Sequence, residues 1–149
     1  MGRAGRPALG EVGTHETRNG YDFALDSAKR TRLVTGTLRL ADAKRSQASQ
    51  RNAGKPDRLS TDHDGHCIAR RFDGPTEAFN HFTQDGNFNR GAYKSMENVW
   101  ANDVRAGHKI TVSITPTYQG QSKRPSSIDV NYFVDGARRR QSFKNSPGG

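Results

Sequence analysis

Apolar positions enter the chain at Tyr21, Phe23 and Leu25, after a polar, glycine-rich stretch. Residues 1–20 are therefore expected to be a flexible lead-in. In RTRLVTGTLRL, residues 30–40, Val34, Leu38 and Leu40 stand among Thr and Arg, which predicts a strand with alternating faces, weakened by Gly36. Residues 42–58, DAKRSQASQRNAGKPDR, are almost wholly polar. They read equally as a long functional loop and as a disordered insertion. EAFNHFTQDGNF, residues 77–88, reads as a second loop. The best helix is RGAYKSMENVWANDVRAG, where Tyr93, Met96, Trp100 and Val104 recur at spacings of three and four and form one apolar stripe. Asn89 stands at its start, Gly107 is its expected stop, and Glu97 falls along the edge of the buried face. The C-terminal third alternates as strands do: Ile110, Val112 and Ile114, then Ile128, Val130, Tyr132 and Val134. Asp135-Gly136 predicts a two-residue hairpin turn, followed by Arg138, Arg139 and Arg140 on the return strand. Pro116 and Pro125 mark breaks or edges. The pattern predicts one α+β domain over residues 21–145, a twisted antiparallel sheet with one main helix, and a frayed tail at 146–149.

Composition narrows the partners. The chain has 149 residues, 31% of them hydrophobic, and a formal net charge of +9. Its pI is about 10.2 and its mean hydropathy is −0.95. Such a charge attracts polyanions: nucleic acid, an anionic membrane surface or an acidic protein. The excess is uneven, with 12 Lys/Arg against 6 Asp/Glu in residues 1–60 and 12 against 9 in residues 61–149. Lys44, Arg45, Arg51 and Lys55 lie in the polar 42–58 segment. No apolar run approaches the ~18–20 residues of a membrane span. The N-terminus lacks the apolar segment of a signal peptide, so export is expected to use some other route.

The chemistry concentrates in DHDGHCIARRFDGP, residues 62–75. Cys67 is the single cysteine, so no internal disulfide is possible. Nothing beside it in sequence forms a thiolate-activating triad. His63, His66, Cys67 and His81 lack the second matched pair of a structural zinc site. Phosphodiester hydrolysis needs a base for water, a cation for the leaving oxygen and positive charge around the phosphate. His66 suits the first role, because neutral imidazole is abundant near neutrality. Asn89 and Glu97, two helical turns apart, offer the oxygen donors that a hydrated hard ion such as magnesium prefers. Arg70 and Arg71 can approach phosphate. An Asn at a helix start is also an ordinary cap, so these elements are compatible with the reaction without being diagnostic. The same charge is open to a non-catalytic basic module that binds nucleic acid.

Taken together, DGHCIARRFDGP, N-x8-N-R-G from Asn80 to Gly91, Glu97 eight residues after Asn89, then YQGQSKRPSS and NYFVDG, resemble the DNA/RNA non-specific endonuclease family of ββα-metal nucleases. The likeness runs from about Arg30 to Asn145. It is nearest to the branch found as C-terminal toxin domains of bacterial secreted polymorphic toxins. The resemblance implies a ββα-metal fold and hydrolysis of DNA, and of RNA, with Mg2+ or another divalent ion such as Mn2+. It implies His66 as general base, Asn89 as metal ligand, Glu97 on the waters of the metal, and Asn80 as a further site residue. Arg70, Arg71, Arg90 and Arg51 are the expected substrate contacts, Arg51 and Arg58 both being candidates for the family's upstream phosphate-binding arginine. His63 stands where the family usually has an acid, with Asp62 and Asp64 beside it. Ala101 stands where some relatives have an arginine, which Arg105 could replace. A toxin of this kind implies delivery into the cytoplasm of a target cell, a cognate acidic immunity protein, and no membrane partner.

Overall fold

The computed structural model describes residues 12–41, 62–85 and 90–145. The chain order is β1 (Val12–Arg18), β2 (Tyr21–Asp26), β3 (Thr31–Thr37), β4 (Asp62–His66), a 3-10 turn (Arg70–Phe72), a second (Ala78–Asn80), β5 (His81–Asp85), α1 (Arg90–Arg105), β6 (Ile110–Thr117), β7 (Ser127–Val134) and β8 (Ala137–Lys144). Six strands form one antiparallel sheet in the order β1-β2-β3-β6-β7-β8, and β4 and β5 form a separate two-stranded ribbon. Ribbon and helix both come from the chain between β3 and β6. The strands and helix thus realise an α+β fold in which one ββα unit is mounted on a twisted sheet.

One face of the sheet holds the core. Val34 of β3, Ile110, Val112 and Ile114 of β6, and Ile128 and Val130 of β7 are buried on alternate positions, as the period of two requires. The helix buries Tyr93, Met96, Trp100 and Ala101 against it, with Val104 partly covered. Trp100 stands edge-on to Tyr132 at 5.2 Å between ring centroids and to Phe72 at 6.2 Å. Tyr93 meets Phe143 at 4.8 Å. At 1% exposure Trp100 is a core residue, and removing such a side chain costs about 3–5 kcal/mol. The helix stops at Arg105, where the Gly107 N–H donates to the Val104 carbonyl and His108 N–H to that of Asp103.

The hairpin after β7 forms at Asp135 (φ 50°) and Gly136 (φ 90°), both left-handed as a tight hairpin turn demands. Asp135 also accepts from the Lys109 N–H at 2.8 Å and faces His108 Nδ1 at 2.6 Å. The β3 ladder on β6 ends at Ile114, so Pro116, expected at a break or edge, lies beyond it and pairs only with β7.

Two expectations are corrected. Residues 12–18 form the edge strand β1 rather than part of a flexible lead-in, through a ladder from Val12↔Asp26 to Arg18↔Tyr21. Backbone pairing needs no apolar side chains, and an exposed edge can be polar throughout. His81–Asp85 is a strand rather than loop, because its backbone completes the ladder of β4 from Asp62↔Asp85 to His66↔His81. Residues 1–11, 42–61 and 146–149 lie outside the described residues, so the expectations for the 42–58 segment and the terminal tail cannot be read there. Asn145, just before the tail, is fully buried and donates its amide to the carbonyls of Thr83 and Pro125 at 2.8 and 2.7 Å. This clasp ties the end of β8 to the ribbon. Among the described residues no helix is long and apolar enough to cross a membrane.

Candidate active site

His66 is the last residue of β4 and lies directly opposite His81 of β5. Directly opposed residues of a ladder share a face, with Cβ atoms about 5 Å apart. The imidazole of His66 reaches across to the helix, where its Nε2 lies 3.1 Å from Oε2 of Glu97. Glu97 belongs to the buried stripe of α1, one turn from Tyr93 and one from Trp100. Its side chain is 7% exposed, whereas that of His66 is 39% exposed. A carboxylate taken out of water is costly unless a partner replaces its hydration. Among the described residues that partner is the His66 ring. An ionised carboxylate only accepts, so toward a carboxylate at Glu97 the donor is Nε2, and in a neutral ring Nδ1 then carries the lone pair.

The turn that follows His66 is built to hold it. The Cys67 N–H donates to the Asn80 carbonyl at 2.8 Å. The Asn80 side chain, 1% exposed, accepts from the Ile68 N–H at 2.9 Å and donates to the carbonyls of Ile68 at 2.8 Å and Pro75 at 3.0 Å. Its amide is thus spent on backbone. Asn80, expected as a further site residue, is placed by these bonds as a brace of residues 67–75. The same segment is pinned to the sheet. The Tyr21 hydroxyl donates to the Phe72 carbonyl at 2.6 Å, Asn19 donates to that of Asp73 at 2.9 Å, and Arg39 grips the Asp73 carboxylate at 2.7 and 2.9 Å. Gly74 closes the turn, and a Cβ there would run into the Ile68 carbonyl oxygen.

The other expected residues divide. Arg70 lines a recess of about 40 Å³ beside His66, with Ile68, Pro75, Thr76, Asn80 and His81. Arg71 instead reaches the helix surface and donates to Asn98 Oδ1 at 2.6 Å, which takes it off the recess wall. Arg105 bonds Asn102 on its own helix at 3.1 Å. Asn89, Arg51 and Arg58 lie outside the described residues, as do the side chains of Asp62, His63, Asp64 and Arg90. The neighbour that sequence reading did not place beside the base is His81. The signal that exposes it is the ribbon register, available once residues 81–85 are read as a strand.

Cys67 next to the base is buried, and burial pushes its thiol up to about 12. That removes it as a nucleophile at neutral pH. Burial, with Cys67 and Glu97 nearby, also raises the Tyr93 hydroxyl well above the usual range. Among the described residues no three His, Cys, Asp or Glu side chains converge as a metal cluster.

Comparison with known proteins bears on the family and the fold. The family model described as DNA/RNA non-specific endonuclease matches residues 12–136. The type VII secretion system protein EssD of Staphylococcus aureus strain USA300 is 30% identical over 138 residues, which cover 88% of this chain. The chain spans only 22% of the length of that relative. Among solved structures, magnesium-bound NucA from Streptococcus agalactiae superposes with a TM-score of 0.65 at 12% identity, covering 94% of this chain and 87% of NucA. The Sda1 nuclease with a bound zinc ion gives a TM-score of 0.62 at 14% identity, covering 93% of this chain and 76% of Sda1. At these identities the likeness to the two structures is one of fold.

Proposed function

We propose, for a chain that belongs to the DNA/RNA non-specific endonuclease family, that it hydrolyses phosphodiester bonds of DNA, and of RNA, with little sequence preference and with the help of a divalent ion. The observation that carries this reading is the contact between His66 and Glu97. A half-exposed imidazole is aimed by a buried carboxylate, an arrangement that a purely structural core has no use for. Glu97 fixes the ring and its tautomer, and His66 Nδ1 takes the proton from an attacking water. Arg70, on the wall beside it, offers positive charge to the phosphate.

The residues fit a hard, largely hydrated ion. Glu97 has a second carboxylate oxygen, and Asn89 immediately precedes α1 in sequence. By the family resemblance Asn89 would be the direct ligand and Glu97 would act on the waters of the ion. When bound, magnesium or manganese would supply positive charge for the phosphate and the leaving oxygen. Ions in the NucA and Sda1 structures support a divalent metal without selecting one.

The matching relative is named for a secretion system, and this supports reading the chain as the toxic effector part of a secreted bacterial toxin that acts in the cytoplasm of a target cell. A cognate acidic immunity protein, complementary to the net charge of +9, would protect the producer. The rival reading of a basic module that only binds gives no reason for a buried carboxylate against His66.

The test is incubation of the purified chain with supercoiled plasmid and with RNA, with and without magnesium. Nicking that stops on chelation and returns with the ion supports the reading. Binding to either nucleic acid without any product, at every ion tried, would refute it.

A further inference from the structure

We propose that the outer face of the sheet, around Phe133, Arg138 and Arg140, is an exosite that holds an unpaired stretch of the substrate strand away from His66; this rests on the endonuclease reading above. The core and the helix occupy one face of the sheet. On β7 the buried Ile128, Val130 and Tyr132 belong to that face, so Asn131 and Phe133 belong to the other. The register carries this outer face to the edge of the sheet. Thr111, Phe133 and Arg138 stand in one row across β6, β7 and β8, and Ser113, Asn131 and Arg140 stand in the next.

Phe133 is half-buried yet stands outside the core cluster, and among the described residues no ring or guanidinium is stacked on it. Every base has a π-face, so an open ring can hold one without reading its identity. Charge on this face favours an anion. Arg138, Arg140 and Lys144 of β8 are exposed on it, against Asp129 of β7, which accepts from Ser142 Oγ at 2.6 Å. Arg138 gives one N–H to Asn131 Oδ1 at 3.2 Å and keeps its charge. Among the described residues the side chain of Arg140 makes no hydrogen bond or ion pair. Alternate residues of a strand stand about 7 Å apart, close to the separation of successive phosphates in an extended polynucleotide. Thr111, Ser113 and Asn131 behind them are side chains of the kinds that contact phosphate and sugar. Charged residues also blunt an open sheet edge, but that gives no role to the ring across from Arg138. Protein interfaces centre on clustered apolar anchors, whereas a single ring among hydroxyls, an amide and arginines suits a base with its phosphates. A stacked duplex hides its base faces, so the exosite takes a single strand.

Phe133→Ala removes the ring at a position outside the core, and Phe133→Trp keeps a ring there. Arg139→Gln is the control for charge, because Arg139 stands opposite Tyr132 and so on the helix face. Two measurements decide. In NMR titrations of the His66→Ala chain, oligo(dT) shifts the amides of Thr111, Asn131, Phe133 and Arg140 in a saturable way, and polyglutamate does not. In the chain that retains His66, Phe133→Ala raises KM for single-stranded DNA about tenfold, a loss seen in KM and not in kcat, and Phe133→Trp restores the parental KM. Arg140→Gln raises KM and flattens its salt dependence, and Arg139→Gln does neither. The proposal is overturned if oligo(dT) leaves those amides unmoved, if polyglutamate shifts them equally and so marks an acidic protein as the occupant, or if Arg139→Gln costs as much as Arg140→Gln. A chain that binds oligo(dT) at Phe133 yet cuts no nucleic acid keeps the exosite and loses the endonuclease reading. A chain that cuts, with Phe133→Ala at the parental KM, keeps that reading and loses the exosite.

Discussion

Asn80→Ala separates a positioning residue from a catalytic one. The substitution strips an acceptor from the buried Ile68 N–H and donors from the Ile68 and Pro75 carbonyls. An orphaned buried N–H costs about 2 kcal/mol, and each carbonyl, which keeps a second lone pair, costs about 0.5–1 kcal/mol. The total is about 3–4 kcal/mol, a large share of the ~5–15 kcal/mol that holds a domain together. For a domain of this size that corresponds to a melting temperature lower by about 10–15 °C. Thermal unfolding followed by circular dichroism measures it. Because the 67–75 segment directly follows His66, cleavage by the folded variant falls as well, and it falls more steeply on warming than cleavage by the parent. A variant that melts within 2 °C of the parent, yet has lost all cleavage at low temperature, would refute the reasoning and return Asn80 to the reacting atoms.

Two further outcomes follow from groups beside and away from the site. With its thiol pushed up to about 12 by burial, Cys67 should resist iodoacetamide at pH 8 in the native chain and react fully after denaturation; equal labelling in both states, read by intact mass, contradicts the burial. The hydrogen bond and charge of Asp135 raise His108, so the stability this pair adds is present below the ordinary imidazole range and is lost as pH rises through the raised value. The Lys109 N–H and the His108 bond lower Asp135, so its share is lost only as pH falls through that lowered value. His108→Ala should therefore lower the melting temperature at pH 5 and leave it nearly unchanged at pH 9; a penalty equal at both would point to lost packing instead.

What the sequence made legible was what burial writes in regular periods. The stripe of Tyr93, Met96 and Trp100 and the alternation through Ile110–Ile114 and Ile128–Tyr132 are single-faced patterns, and the helix and hairpin follow them. β1 was invisible because VGTHETR is held by its ladder, with no apolar face of its own. β5 was missed because Phe82, Thr83 and Gln84 are buried in succession, which erases the period of two. That His66 and Glu97 belong to one site came through the resemblance, but their direct contact, between residues 31 apart in the chain, is not legible in the sequence. Asn80 was legible as a marked position and not in its role, because an asparagine that braces backbone and one that faces substrate look alike in sequence. Asp26 went unnoticed for the same reason. Burial would raise its carboxyl, but hydrogen bonds from Arg30 and Ala28 outweigh that and hold it below the usual carboxylate range.

The central claim is that the imidazole aimed by Glu97 is the base. Plasmid nicking by His66→Ala, compared with the parent at equal magnesium and with folding and DNA affinity verified, tests it most directly. The account predicts that nicking falls on the order of a hundredfold or more while DNA affinity stays intact. A folded His66→Ala chain that nicks at the parental rate would contradict it.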